Sequence, residues 1–171
     1  MELRIDSPDP QHVVGEILTR GANVMLGYYK NPEATAAALD SEGWYHTGDL
    51  GVLDQEGNLY IRGRCKNMLL GSNGQNIYPE EIEDKLNTLP YVMESVVIQK
   101  GEKLHALIHP DYEEAEKAGL DENALNRQME ENRRMLNTMI NAYEQIVSVK
   151  LHKEEFEKTP KRSIKRFLYT E

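Results

Sequence analysis

The chain changes character near Gly63, and that change constrains its fold more than any other feature. Before it, short apolar runs are cut by Gly, Pro, Asn and Asp, the punctuation of a strand-rich body. After it, helical and strand periodicities mix. A chain of 171 residues is long enough for one large domain or two small ones. The expected class is α+β: a β-rich segment over residues 1–65, then a small domain over 66–171 with a short mixed or antiparallel sheet covered by helices.

Local signals place the elements. Gly15–Arg20 reads as a strand ended by Gly21. Asn31-Pro32-Glu33 opens a helix running through Leu39: Asn31 caps, Pro32 fits the first turn and Glu33 meets the helix dipole. Gly43 to Gly51 reads as loop and strand edge. Val52 to Ile61 reads as two strands around a turn at Asp54–Asn58. Pro79 starts a helix with an apolar face of Ile82, Leu86 and Leu89, and Glu80, Glu81 and Glu83 in its first turn. Glu94–Gln99 and Leu104–His109 form a hairpin. Asp121 caps a long helix with the stripe Leu125, Met129, Leu136, Ile140 and Tyr143. Val147–Leu151 is a strand, and a last short helix carries Ile164, Phe167 and Leu168. Met129, Met135 and Met139 are read as core or helix–helix packing.

The net charge of −9 argues against general nucleic-acid binding, which needs a dense cationic face. The charge is uneven: Lys158, Lys161, Arg162, Lys165 and Arg166 crowd near the end, a patch that suits a polyanionic small molecule or a solvated tail. The one cysteine, Cys65, cannot pair within the chain, which points to a reducing cytoplasm. No apolar run is long enough to span a bilayer, and Met1 to Pro10 lacks a signal-peptide core. His12, His46, His105, His109 and His152 are scattered without a helical i, i+4 pair, so no metal site is expected. No convincing Ser-His-Asp arrangement stands out.

Three stretches carry candidate chemistry. In Gly43-Trp44-Tyr45-His46-Thr47-Gly48-Asp49-Leu50-Gly51, glycines flank one carboxylate in a turn whose backbone can approach a ligand closely. Asp49 is either a turn former or an acceptor of two hydrogen bonds from adjacent hydroxyls. Arg64, in Gly63-Arg64-Cys65-Lys66, offers a planar fork of donors, or else an ordinary surface ion pair. Gly71-Ser72-Asn73-Gly74-Gln75 contains glycine but lacks the ending of a phosphate-binding P-loop, and by itself reads as a turn.

The order and spacing of these blocks, continued by Asn76-Ile77-Tyr78-Pro79-Glu80-Glu81-Ile82-Glu83, resemble the adenylate-forming enzymes, most of all bacterial long-chain acyl-CoA ligases. The resemblance runs from about Gly15 to Tyr169 and is densest from Gly43 to Glu83. It implies that Asp49 holds a nucleotide ribose with Arg64 beside it. Lys66 would be the hinge between a large domain and a small mobile one. Gly71 to Gln75 would enter the active site for thioester formation and line the CoA pantetheine tunnel; some relatives carry lysine where Gly71 stands.

The terminal block departs from the pattern. Relatives end in Thr-Pro-x-Gly-Lys-Ile, whose lysine bridges acyl carboxylate and phosphate. Here Thr159-Pro160-Lys161-Arg162-Ser163-Ile164-Lys165-Arg166 puts Arg162 at the glycine and Ser163 at the lysine. Lys165 or Lys161 could reach in through a shifted register, with Lys165 ahead. Alternatively, Arg162 could substitute, or adenylation could be weak.

The resemblance implies an acid–thiol ligase using ATP, CoA and Mg²⁺ on a carboxylic acid. The phosphate loop, adenine pocket and acyl tunnel would lie in a preceding large domain, so Met1 is expected to begin an excised piece or truncated product, inactive alone. The rival readings are a non-catalytic binding module of the same fold and an adenylating enzyme that serves a carrier protein. Acyl-chain specificity and oligomeric state are not legible.

Overall fold

The computed structural model describes residues 1–170. The chain forms two compact units, Met1–Met68 and a second beginning at Leu69.

The first unit is a four-stranded antiparallel sheet in the order β1 (Glu2–Asp6), β2 (Gly15–Arg20), β3 (Tyr45–Leu53), β4 (Leu59–Arg64). Residues 43–51, read as loop and strand edge, are mostly strand: from Tyr45 on they belong to β3, an inner strand because β2 and β4 both pair with it. Alternation of Leu3 and Ile5 with charged neighbours makes β1, and Ile5, Ile17, Leu18, Leu50 and Val52 fill the small core. Trp44 is buried with the guanidiniums of Arg4 and Arg20 at 4.6 and 4.5 Å from its ring centre. The helix α1 (Pro32–Ala38) starts as the sequence indicates, with the Asn31 side chain accepting from Ala34 N at 3.0 Å.

The second unit opens with a two-stranded hairpin, β5 (Leu69–Leu70) and β6 (Asn76–Ile77), whose loop is Gly71–Gln75. After α2 (Pro79–Leu86) come β7 (Val92–Lys100), β8 (Lys103–Pro110), α3 (Tyr112–Lys117), α4 (Glu122–Met139) and β9 (Ile146–Leu151). The sheet order is β7-β8-β9, antiparallel then parallel, so the fold is mixed α+β with helices on the sheet. Val96, Val97 and Ile98 are all buried because both faces of β7 are covered. On one face lie Ile82 and Leu86 of α2 and Leu125, Met129 and Leu136 of α4. On the other, Phe156, Ile164 and Tyr169 of the terminal segment pack on Val96 and Ile98.

Several expectations shift. The helix from Asp121 ends at Met139, since Ile140 is extended, and Tyr143 sits exposed in a separate 3-10 turn. Met129 is core, but Met135 and Met139 face outward. The last helix is one 3-10 turn, Arg166–Leu168, with Phe167 and Leu168 exposed; Ile164 alone of the three reaches a core. No described helix is long and apolar enough to cross a membrane.

Candidate functional site

Asp49 projects from an irregular part of β3. Between the pairs Glu16↔Leu50 and Leu18↔His46, β2 advances two residues while β3 advances four, so Thr47–Asp49 bulges out. Gly48 takes φ +72° at the bulge, a conformation that favours glycine. Glu16 fastens it: one oxygen accepts from Gly48 N at 2.8 Å and the other meets His46 Nδ1 at 2.9 Å. Thr47 Oγ1 donates to Ile17 O at 2.7 Å and accepts from Asp49 N at 3.1 Å. A second bulge, in β4, lies between Leu50↔Gly63 and Gly51↔Ile61.

Between these bulges Asp49 and Arg64 are cross-strand partners, with Arg64 Nη1 donating to Asp49 Oδ1 at 2.6 Å. The Asp49 side chain is 33% exposed and Arg64 48%, so the carboxylate is oriented by the guanidinium yet open to a ligand. The bulges set where the two backbones present this pair, and the carboxylate keeps acceptor capacity beyond the Arg64 contact. Tyr45, two residues before Thr47, has its phenol held above the ordinary range, first by a hydrogen bond with Tyr28 and then by burial. Burial also raises the Cys65 thiol, with Glu16 and Asp49 adding to it, so Cys65 is not an activated nucleophile.

Lys66 is exposed in a 3-10 turn, Cys65–Asn67, just before the boundary between the units at Met68. In the second unit, Gly71 N donates to Gln75 O at 2.8 Å and Gly74 N to Gly71 O at 2.9 Å, making a tight hairpin loop. Ser72, Asn73 and Gly74 are exposed at its tip, Gln75 is half-buried and Gly71 is buried.

The terminal block folds into a second tight turn. Arg162 N donates to Thr159 O and Thr159 N to Ser163 O, both at 2.8 Å. Arg162 adopts φ +62°, the left-handed conformation expected of the glycine it replaces, which favours the register with Ser163 at the lysine position. Ser163 and Lys161 are exposed on the turn. The Lys165 Nζ instead pairs with Glu157 at 3.0 Å.

Two charged residues to which the sequence assigns no site role are fixed by the fold. Glu83 lies on the buried stripe of α2 with Pro79, Ile82 and Leu86, and receives Val97 N at 2.6 Å and Arg166 Nη2. Burial pushes its carboxyl up to about 7, against the pull of Arg166 and the Val97 N–H. Its i, i+4 place relative to Pro79 was the sequence signal for burial. Glu16 had no such signal, because its contacts span about thirty residues of chain. A cavity of about 630 Å³, lined by Tyr112, Leu120, Leu125, Leu151 and Lys153 among others, contains none of the candidate site residues. Among the described residues no group of three or more His, Cys, Asp or Glu is arranged to hold a metal ion.

Residues 66–171 match the family described as the AMP-binding enzyme C-terminal domain. The chain belongs to that family. Similar proteins include a methyl-dioxo-octahydroindenyl-propanoyl:CoA ligase of Rhodococcus jostii, 50% identical over 98 residues, or 57% of this chain and 18% of the relative. A 2-succinylbenzoate–CoA ligase of Bacillus cytotoxicus is 42% identical over 105 residues, covering 60% of this chain and 21% of the relative. Among solved structures, O-succinylbenzoate coenzyme A synthetase from Bacillus subtilis in complex with AMP superposes with a TM-score of 0.75 at 26% identity, covering 99% of this chain and 33% of that one. The chain thus spans about a fifth of the length of these curated family relatives.

Proposed function

We propose that the chain is the C-terminal part of an ATP-dependent acyl-CoA ligase, in which residues 1–65 complete a large adenylation domain and residues 66–171 form the small mobile domain. The observation that carries this reading is the Asp49–Arg64 pair, oriented at 2.6 Å between two bulges and open to solvent. The names of the family relatives, CoA ligases acting on different acids, support it.

In the proposed reaction a carboxylate oxygen attacks the α-phosphorus of ATP, forming the acyl-adenylate and expelling pyrophosphate. The CoA thiol sulfur then attacks the acyl carbonyl, the thiol proton leaves, and AMP departs. Asp49 accepts hydrogen bonds from the ribose hydroxyls, with Arg64 fixing its orientation. A Lys161 or Lys165 ammonium offsets negative charge in the first step, a role worth roughly 2.7–4 kcal/mol where one donor is removed from such a site. Lys165 must leave Glu157 to do so, whereas Lys161 is already exposed. This reverses the order expected from sequence. Lys66 supplies the dihedral changes of domain rotation. The exposed tip Ser72-Asn73-Gly74, with Gly71 and Gln75 closing the loop, lines the thiol channel. Mg²⁺ would accompany the ATP phosphates and offset their charge in the first step.

The finer reading of a long-chain fatty acid rests on the Asn76–Glu83 string; the relatives' names carry a fused-ring propanoate and 2-succinylbenzoate. Cytoplasmic placement follows from the soluble nucleotide and CoA substrates. A second reading, a non-catalytic module, is favoured by Ser163 at the lysine position. The test is direct. The full-length ligase, given ATP, Mg²⁺, CoA and a panel of long-chain, ring-bearing and succinylbenzoate-type acids, should release AMP and form a thioester. The 171-residue chain alone should release no pyrophosphate. Full-length protein that binds ATP without turnover on any acid would favour the module.

A further inference from the structure

A largely buried guanidinium is among the ties between the terminal segment and the rest of the second unit. Arg166 is only 15% exposed. Its Nη2 pairs with Glu83 Oε2, its Nε lies 3.9 Å from Glu80 Oε1, and its Nη1 donates to Val97 O at 3.4 Å. Glu83 uses its other oxygen to accept from Val97 N at 2.6 Å. β7 is the edge strand of its sheet, so the Val97 peptide groups face outward, away from β8. An edge N–H and C=O buried without partners are costly. Here the ion pair takes both, and so joins α2, the β7 edge and the terminal segment at a single point.

The segment held this way is the one that carries the charged turn. Arg166 follows Lys165 directly, and Lys165 N donates to Glu157 O at 2.8 Å. Lys158 pairs with Glu94 of β7 at 2.7 Å, and an isolated bridge joins Lys158 to Ile164. Residues 157–165 therefore form a narrow loop with its stem anchored on β7. The Thr159–Ser163 turn projects from it with Lys161 at the surface. The apolar part of the anchor, Ile164 with Phe156 and Tyr169, is non-directional. The Arg166 fork is directional, because its nitrogens engage oxygens of α2 and of β7 at once.

We infer that Arg166 is a positioning residue for the adenylation half-reaction, fixing through Glu83 and the Val97 peptide the place from which the Thr159–Ser163 turn presents its positive charge. This rests on the ligase reading above. The Gly71–Gln75 loop is held by the β5–β6 pairing, by its own backbone bonds and by Gln99 Nε2 of β7 donating to Leu70 O at 2.9 Å, and none of these bonds involves Arg166.

The two half-reactions separate the possibilities. In the full-length ligase, Arg166→Lys keeps the charge but loses the fork. It should lower kcat for acyl-adenylate formation by roughly tenfold or more, as expected when a charged group is misplaced by about an ångström. KM for ATP should hold, and so should the rate of thioester formation from supplied acyl-adenylate and CoA. Glu83→Gln, which keeps the shape and the acceptor for Val97 N, should lower the same step in the same direction by less, and it serves if Arg166→Lys does not fold. Equal loss in both half-reactions with a lower melting temperature would reduce Arg166 to a structural tie and overturn the inference. So would unchanged adenylation in either folded variant. Wild-type protein that makes no adenylate from any acid would instead sink the ligase reading itself, a different outcome from a failed variant.

Discussion

Glu83 makes a quantitative prediction about pH. Its carboxyl is buried on α2, and burial raises its pKa from the ordinary 4.5 to about 7, the Arg166 charge and Val97 N–H only partly offsetting this. A raised acid pKa means that the folded state holds the proton more tightly than the unfolded state. Stability is therefore greatest below the unfolded value and is lost as pH rises through the window from 4.5 to about 7. At about 1.36 kcal/mol per pH unit, and allowing for partial titration at the ends, the loss from pH 5 to pH 8 is on the order of 2–3 kcal/mol. Glu83→Gln removes the titrating proton while keeping an acceptor for Val97 N. Urea unfolding of the 171-residue chain at several pH values in this range, for wild type and variant, isolates the effect. The wild-type-minus-variant stability should fall steadily as pH rises and level off above neutrality. A difference that stays flat would show that the Arg166 contact cancels the burial, and one that grows with pH that it outweighs it; either result refutes a raised Glu83 pKa.

Substitutions at two further positions test the backbone. Arg162 sits at φ +62° on an exposed turn, where a side chain costs about 1 kcal/mol, so Arg162→Gly should raise the stability of the second unit by up to that amount and Arg162→Ala should not; equal effects of the two would remove the strained-turn account. At Gly51, an added Cβ would meet Tyr60 O at 2.8 Å and Ile17 Cδ1 at 3.1 Å, so Gly51→Ala should destabilise the first unit by about 1–3 kcal/mol, read as a lower unfolding midpoint; a neutral result would mean that β3 and β4 have room to part.

Local chemistry was legible in the sequence and long-range placement was not. Asn31 and Asp121 announced their helices because a cap and its target lie three residues apart. The β7–β8 hairpin was readable from two apolar runs around Lys100-Gly101-Glu102-Lys103. The strand Glu2–Asp6 alternates as Glu-Leu-Arg-Ile-Asp, but two apolar residues are too short a period to separate a strand from a polar terminal segment. The inner position of β3 could not be read, since only pairing with β2 decides it. At the site, Asp49 and Arg64 were nameable from motif spacing, but the bulges that aim them, and the Glu16 that ties one down, arise from partners distant in sequence. Glu83 carried a usable sign, a carboxylate on an apolar stripe. Its partner Arg166, over eighty residues away, did not.

The account stands or falls on what Asp49 does. Its ion pair with Arg64 is half open to solvent, so its loss should cost stability only about 0–1 kcal/mol. Hydrogen bonds from ribose to a charged carboxylate are worth about 1.5–3 kcal/mol, or roughly ten- to a hundredfold in binding. Steady-state kinetics of Asp49→Ala in the full-length ligase should therefore raise KM for ATP by roughly that factor and leave KM for the carboxylic acid within about twofold. If the two constants rise together, or neither moves, the carboxylate does not grip the nucleotide.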